Sequence, residues 1–377
     1  MKRITTTYVL ILVFSFTVKA NKNEFNFFLD DSTITATISF VGDLMCHSTQ
    51  FKYAMQRDST YNFKPVYRYI KDYLSQADLT VGNLETVFGG DSINYSGHPL
   101  FNSPDEYLSA LKYAGFDLLI TANNHSLDVG EYGIRRTIDQ INKNEMFYSG
   151  TSLTKSERDS VKLIDLNGIK LSFLSYTYGT NGNIIPKCKE YLVNIINFNK
   201  IKNDIKRSKE KEADMIIVYY HFGDEYKREP SKYQKEVVDS TLKFGADIII
   251  GSHTHAVQSI MIKKQKNKQS FIAYSLGNFI SNQRWRYSNG GVILSIKIKK
   301  KLYNKSSSIV KVSYLPTYVF KGKTKHKYEF VIIPSTYYYT SPIYQFFSDS
   351  TFKEMIQSFE DTNEKLKNYK GLPVKNN

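Results

Sequence analysis

Residues 248–258 read IIIGSHTHAVQ: an apolar run stops at Gly251, and His253 and His255 follow with one threonine between them. The whole chain holds only seven histidines, so two of them this close at the end of a hydrophobic strand point to chemistry. Neutral imidazole is the commonest protein ligand for a metal ion. In a regular strand, residues two apart share a face, so the pair can serve two separate ions only if the backbone leaves extended geometry after Gly251.

Four further polar clusters follow strand-like runs. They are Asp43 to His47 in FVGDLMCH, Asn83 to Glu85 in GNLET, Asn123 to His125 in NNHSLD, and His221 in HFGDEY. Five of the seven histidines fall at such ends, while His98 and His326 do not. In α/β sheets, ligands bind beyond the carboxyl ends of the strands, where the loops converge. Imidazole, carboxylate and amide oxygen together form a mixed nitrogen and oxygen set suited to Zn, Mn or Fe. Two such ions roughly 3.5–4 Å apart would clamp the attacking and leaving oxygens of a displacement at phosphorus. Each cluster alone has an ordinary structural explanation. Asp43 could cap a helix, Glu85 could pair with a lysine, Asn123 and Asn124 could satisfy turn backbone, and His221 could be a hydrogen-bonded core residue. The ordered set carries the expectation of one or two divalent ions.

From about residue 34 the chain alternates strand-like runs with amphipathic helical patterns, the mark of an α/β layered fold. Strands are expected at Ile34–Val41, Leu79–Val81, Phe116–Ala122, Met215–Tyr220, Asp247–Ile250 and Phe271–Tyr274. A hairpin is expected over Val161–Leu174 around Asn167-Gly168. Gly291–Lys299 and Ser308–Tyr314 should close the sheet as antiparallel strands. Helices are expected over Pro65–Gln76, from a Ser103-Pro104 start to Gly115, and over Glu131–Asn142, Ile195–Glu212 and Pro230–Phe244. With neither repeat nor long linker, one main domain over residues 34–320 is expected, followed by a 321–377 extension. Residues 337–377 are expected to be a surface appendage with one helix around 350–366.

A composition of 41% hydrophobic and 23% charged residues excludes wholesale disorder. Lys2 and Arg3 precede the apolar stretch Tyr8–Phe16, and Val18-Lys19-Ala20 offers a cleavage point, so residues 1–20 read as a secretory signal peptide. No cysteine follows that stretch, so a lipoprotein anchor is not supported. The two cysteines, Cys46 and Cys188, make no disulfide framework. Removing residues 1–20 takes away Lys2, Arg3 and Lys19 and no acid, lowering the formal charge from +15 to +12. A field of that size attracts an acidic polymer, a phosphorylated glycan, anionic lipid or nucleic acid. Beyond basic charge there is no DNA- or RNA-binding motif, so nucleic acid is not the expected partner.

FVGDLMCH, GNLET, ANNHSLDVGEYG, HFGDEY, GSHTHAVQ and YSLGNFI, in this order, resemble the motifs of the CapA family, the bacterial capsule (poly-γ-glutamate) synthesis proteins. That family is a distant relative of the calcineurin-like metallophosphoesterases. The resemblance covers residues 36 to 285 and implies two packed mixed β-sheets flanked by helices, a four-layer sandwich with a dinuclear-type site at the strand ends. It places Asp43 and Glu85 among the metal ligands, Glu85 as the bridge. It puts Asn124, His221 and His253 on one ion, and His255 with Asp43 on the other. It makes His125 the catalytic imidazole, oriented by Asp128. His47, Glu225, Asn278 and Arg284 become candidate substrate contacts, with Arg284 or Arg286 able to fork onto phosphate or carboxylate. The implied function is an exported, metal-dependent, phosphoesterase-like hydrolase of capsule or envelope polymer biosynthesis. It would act on an anionic polymer or phosphorylated glycan and work beside membrane-associated capsule machinery. The alternatives are a non-catalytic polymer-binding export accessory and, behind it, an extracellular nuclease. Two features depart from the phosphoesterase pattern. Asp43 and His47 stand where Asp-x-His is usual, and Asn83 with Glu85 stand where an aspartate bridge is usual.

Overall fold

The computed structural model describes residues 32–265, 268–325, 327–336 and 341–371. The expected signal peptide and His326 lie outside the described residues. Four parallel strands open the chain: β1 (Thr33–Leu44), β2 (Leu79–Leu84), β3 (Leu118–Ile120) and β4 (Phe147–Ser149). The chain then builds a second sheet from β5 (Leu163–Leu166), β6 (Ile169–Thr177), β7 (Met215–His221), β8 (Ile248–Ser252), β9 (Ile260–Gln265) and β10 (Lys268–Ala273). There β6, β7, β8 and β10 are parallel, and β5 and β9 are antiparallel edges. It returns to the first sheet as β11 (Asn278–Ile280), β12 (Gly290–Lys301), β13 (Ser307–Lys323), β14 (Tyr328–Pro334) and β15 (Lys370–Gly371). The first sheet runs β14-β13-β12-β1-β2-β3-β4, with β11 beside β1 and β15 beside β13. Both sheets are mixed, as expected.

The strands read as unbroken apolar runs because both of their faces are covered. In β7, Ile217 and Tyr219 face the core between the sheets, while Ile216, Val218 and Tyr220 face the helices. In β1, Ile38 and Phe40 join the same inter-sheet core, and Val41 and Leu44 face outward. The Tyr219 hydroxyl donates to the Val41 carbonyl at 3.0 Å, tying one sheet to the other beside the strand ends. The main helices are α1 (Ser48–Ala54), α2 (Asp105–Ala114), α3 (Gly130–Lys143), α4 (Phe198–Glu210), α5 (Lys232–Phe244) and α6 (Asp349–Leu366). Ile201 and Ile205 of α4 and Val237, Val238 and Leu242 of α5 cover the second sheet. Tyr107, Leu108 and Leu111 of α2 cover the first. Among the described residues no helix is long and apolar enough to cross a membrane.

Three expectations are corrected. Pro65–Gln76 is not one helix: a 3-10 turn at Lys64–Tyr67 and a short α-turn at Lys71–Leu74 replace it. That stretch is rich in aromatic and β-branched residues of poor helix propensity, and it is spent on burying Tyr67, Ile70 and Leu74. Ser103 does not cap α2, because its hydroxyl is taken by Thr86 at 2.6 Å. The third correction is the C-terminal extension. A boundary at residue 320 would fall inside β13, and α6 is packed rather than appended. Met355 sits in a cluster with Tyr318 and Phe320, and Leu366 joins the inter-sheet core.

Two glycines face each other where β1 approaches the β11 turn. A Cβ on Gly42 would lie 1.8 Å from the Gly277 carbonyl oxygen, in the backbone that accepts the Asp43 N–H at 3.0 Å. Gly42→Ala is therefore expected to push β1 from β11 and lower stability by about 3 kcal/mol, the upper end of overpacking costs. Urea unfolding checks this, and a midpoint unchanged from the parent protein would contradict it.

Candidate functional site

The carboxyl ends of β1, β2, β3, β7 and β8 converge, bringing residues from both sheets together. Asp43 lies in β1, Asn83 in β2 with Glu85 just beyond it, His221 is the last residue of β7, and His253 follows β8. Extended geometry does end after Ser252: His253 has φ of +98° and His255 of +55°. These left-handed steps turn the two imidazoles onto different neighbours. Upstream, Gly251 leaves no room for a side chain, since a Cβ there would lie 2.1 Å from the Tyr274 carbonyl oxygen.

Two groups of potential metal ligands result, Glu85 with His221 and His253, and Asp43 with Glu85 and His255. Within each group the donor atoms lie within 4.8 Å of one another. Glu85 is common to both. Asn124 joins the first group, its Oδ1 lying 2.7 Å from His221 Nε2. All six expected metal-ligand positions are thus brought together, and all six are buried.

Polar partners hold these groups in place. Asp43 Oδ1 accepts from Asn83 Nδ2 at 2.8 Å, and Asp43 Oδ2 lies 3.1 Å from His255 Nδ1. Asn278 Oδ1 also accepts from His255 Nδ1, at 3.0 Å, so that nitrogen carries a proton and Nε2 is the ring's other functional atom. His221 Nδ1 has Ser252 Oγ at 3.1 Å and Asn83 Nδ2 at 3.2 Å. Within these two ligand groups, two buried side-chain atoms have no hydrogen-bond partner, Glu85 Oε1 and His253 Nδ1. Orphaned buried acceptors are rare and costly, and both belong to the potential ligand groups. Together with an all-nitrogen-and-oxygen donor set, they fit divalent cations.

Electrostatics agree with that fit. Burial pushes the Glu85 carboxyl well above the usual carboxylate range, and the neighbouring Asp43 charge raises it further. Burial would also raise Asp43, but its hydrogen bond and charge interaction with His255 and its bond from Asn83 hold it below the usual value. The two acids are thus pushed apart in acidity, Asp43 ionising more readily than Glu85. Burial, then neighbouring rings, keep His221 far below its ordinary pKa. The same causes bring His253 to about 3. Both imidazoles are neutral at pH 7, the state in which they bind metal.

A second unit stands beside this one. His125 Nδ1 lies 2.7 Å from Asp128 Oδ2, which also accepts the Phe101 N–H at 2.7 Å. The edge of Phe101 fixes the His125 ring at a centroid distance of 4.7 Å. The imidazole is thereby locked in one orientation, with Nε2 as its other functional edge. His47 packs edge-on against Phe101 as well, at 5.2 Å, while its Nδ1 is occupied by Gln50 Oε1 and the Asn282 N–H. Burial, outweighing its Gln50 contact, lowers the His47 pKa to about 4.

Two expected substrate contacts are corrected. Asn278 is fully buried with both ends of its amide in use, Oδ1 on His255 and Nδ2 on Gln283 Oε1 and the Ser288 carbonyl, each at 2.8 Å. It orients His255 instead. Arg284 donates to the Val319 carbonyl and the Tyr318 hydroxyl and pairs with Glu354 of α6, so its guanidinium is spent on packing that helix. Arg286 is likewise taken by Asp361 of α6. Glu225 remains exposed at the edge of the site. The sequence reading missed Ser252 as a partner of His221 and Asn83 as the hub of the cluster. It also missed Tyr178, one residue past the end of β6, although the same strand-end rule points to it. Both cysteines are free, Cys46 buried and Cys188 exposed.

The family model for the bacterial capsule synthesis protein PGA_cap matches residues 37–283. The capsule biosynthesis protein CapA of Bacillus anthracis is 28% identical over 270 residues, covering 70% of this chain and 64% of that protein. The chain thus spans less than two thirds of that relative's length. The PGA biosynthesis protein CapA of Bacillus subtilis is 25% identical over 306 residues, covering 78% of this chain and 75% of that protein. Among solved structures, Haemophilus influenzae NAD nucleotidase superposes with a TM-score of 0.47 at 11% identity, over 89% of this chain and 64% of that one. A 5'-nucleotidase precursor from Thermus thermophilus gives 0.43 at 11% identity, over 86% and 58%.

The depressed histidines have a consequence for the metal-free protein. Unfolding returns His47 and His253 to the ordinary imidazole value near 6.5. Between pH 6.5 and about 4, the unfolded chain therefore binds protons that the native site refuses, and stability falls as pH falls. Each ring adds a slope of about 1.4 kcal/mol per pH unit at most. Urea midpoints in the presence of a chelator should decline from pH 7 to pH 5, and less steeply in His47→Gln. Because Glu85 opposes this trend, the decisive comparison is between proteins, and a slope unchanged in His47→Gln would contradict the burial of that ring.

Proposed function

The chain belongs to the bacterial capsule synthesis protein family, and from that membership and the site's chemistry we propose an exported, metal-dependent hydrolase of the cell envelope. Its reaction is cleavage of a phosphate ester in an anionic polymer or phosphorylated glycan, in company with membrane-associated capsule machinery. One observation carries this reading: Glu85 is common to both ligand groups, and its Oε1 is buried without a hydrogen-bond partner.

Asn124, His221 and His253 would hold one ion, Asp43 and His255 the other, and Glu85 both. Divalent ions supply Lewis acidity toward phosphoryl oxygens and lower the pKa of water. The chain's own residues do the rest. Asp128 fixes the His125 ring through Nδ1, and Nε2 is the edge that gives a proton to the leaving oxygen. Asn278 and Asp43 hold the His255 proton on Nδ1, leaving Nε2 free as a donor atom. Export is supported by the leader-like start, and an anionic substrate by the +12 charge of the chain without it.

Elemental analysis of the purified protein and its turnover of p-nitrophenyl phosphate with Mn or Zn provide the test. Glu85→Ala should lose bound metal, whereas His125→Ala should keep metal and lose about 10²- to 10⁴-fold in kcat. Equal turnover in His125→Ala, or no hydrolysis with any divalent ion, would sink the hydrolase. Polymer binding that survives loss of Asp43, Glu85 and His253 would then favour the non-catalytic accessory.

A further inference from the structure

The two histidines that close the site are each backed by an aromatic ring that also reaches solvent. Tyr178 lies over His253 with ring centroids 4.5 Å apart, and Tyr226 lies beside His255 at 5.7 Å. Trp285, the chain's single tryptophan, meets Tyr226 edge-on at 5.0 Å with the ring planes 79° apart. These rings do not fill the core: Tyr178 is 39% exposed, Tyr226 40% and Trp285 50%. Their positions are nevertheless held. Tyr226 has φ of +63°, a backbone conformation that bulky residues rarely adopt. Its N–H donates to the Thr254 carbonyl at 2.7 Å, and its hydroxyl accepts from Gln283 Nε2 at 3.3 Å. Strain of this kind is retained where the surroundings enforce it, and it clusters at binding sites.

The chemistry of the rim discriminates among substrates. Phosphate and carboxylate groups gain from cations and N–H donors, and nothing from an aromatic face. Arg228, Arg284 and Arg286, which flank the rim in sequence, are each paired with an acid of α6, so they offer no free cationic track for a linear polyanion. A flat base is best held between two parallel rings, whereas Tyr226 and Trp285 form a corner. A pyranose presents an apolar C–H face to one ring while its hydroxyls stay in water. We propose that the substrate is a sugar phosphate, its phosphoryl group at the histidine and carboxylate cluster and its ring against Tyr226 and Trp285. This narrows the hydrolase reading above and rests on it for the position of the phosphoryl group alone.

Because Trp285 is the only tryptophan, intrinsic fluorescence reports on the rim directly. The full chain with Mn is titrated with N-acetylglucosamine 1-phosphate, glycerol 3-phosphate, oligo-γ-glutamate and adenosine monophosphate. The sugar phosphate is expected to shift or quench the emission and to bind tightest. By calorimetry, Trp285→Ala should lose about tenfold more affinity for it than for glycerol 3-phosphate, the scale of one aromatic contact. Tyr178→Ala gives a second, independent position at the rim. Equal losses for the two ligands, tighter binding of oligo-γ-glutamate or adenosine monophosphate, or binding of none of the four would overturn the proposal. A sugar phosphate that moves Trp285 emission without ever being hydrolysed would leave the rim standing and remove the hydrolase instead. Hydrolysis of glycerol 3-phosphate with no response at Trp285 would do the reverse.

Discussion

Two carboxylates, Asp43 and Glu85, are buried to 0% exposure in one cluster, and among the described residues no lysine or arginine partners them. Removing one charge from water costs several kcal/mol, and two like charges together cost more unless something compensates. Neighbouring side chains compensate only in part. His255 and Asn83 satisfy Asp43, while Glu85 is left with a raised pKa and an unpaired oxygen. His221 and His253, kept neutral by burial, add ligand atoms without adding positive charge. The site is built as a negative hole with soft walls, and the strands, turns and tight glycines are arranged to keep it so.

The backbone accounts for that rigidity. Parallel strands of two different sheets end at the same level, and the Tyr219 hydroxyl on the Val41 carbonyl keeps them there. Gly42 allows β11 to approach β1, which sets Asn278 opposite Asp43 and hence beside His255. The left-handed steps at His253 and His255 then separate two side chains that a strand would have stacked on one face. A change of packing in either sheet would thus be felt as a shift of ligand atoms, since close-packed interiors transmit strain.

The positions of Asp43, Glu85, Asn124, His221, His253 and His255 were legible because strand ends can be read from apolar periodicity and loops converge beyond them. The two-sheet layering came from the family resemblance, since periodicity alone gave only alternating strands and helices. What a polar side chain does with its hydrogen bonds was not legible. Asn278 and Arg284 lie in a suggestive stretch, yet one amide serves His255 and one guanidinium serves α6, and both outcomes depend on segments distant in sequence. Similarly, α6 showed its helical period over residues 350–366, but the apolar face it covers belongs to β13 and β12. Pro65–Gln76 failed differently, because a start signal at Pro65 could not extend through residues that prefer not to be helical.

Asn83 is where these threads meet. In sequence it stood out as an amide where an acid was the norm. In the structure its Nδ2 reaches Asp43 Oδ1 at 2.8 Å, Glu85 Oε2 at 3.4 Å and His221 Nδ1 at 3.2 Å, while its Oδ1 accepts from Asn123 Nδ2 at 3.4 Å. A third carboxylate at that point would have added repulsion to a cluster whose second acid is already raised by the first. An amide in its place donates to both acids and lies within reach of the His221 ring, holding three ligand side chains near one another. Glu85, two residues on, keeps the carboxylate shared by both groups. Asn83 and Glu85 thus divide the work, the amide orienting its neighbours and the acid carrying the carboxylate common to both groups.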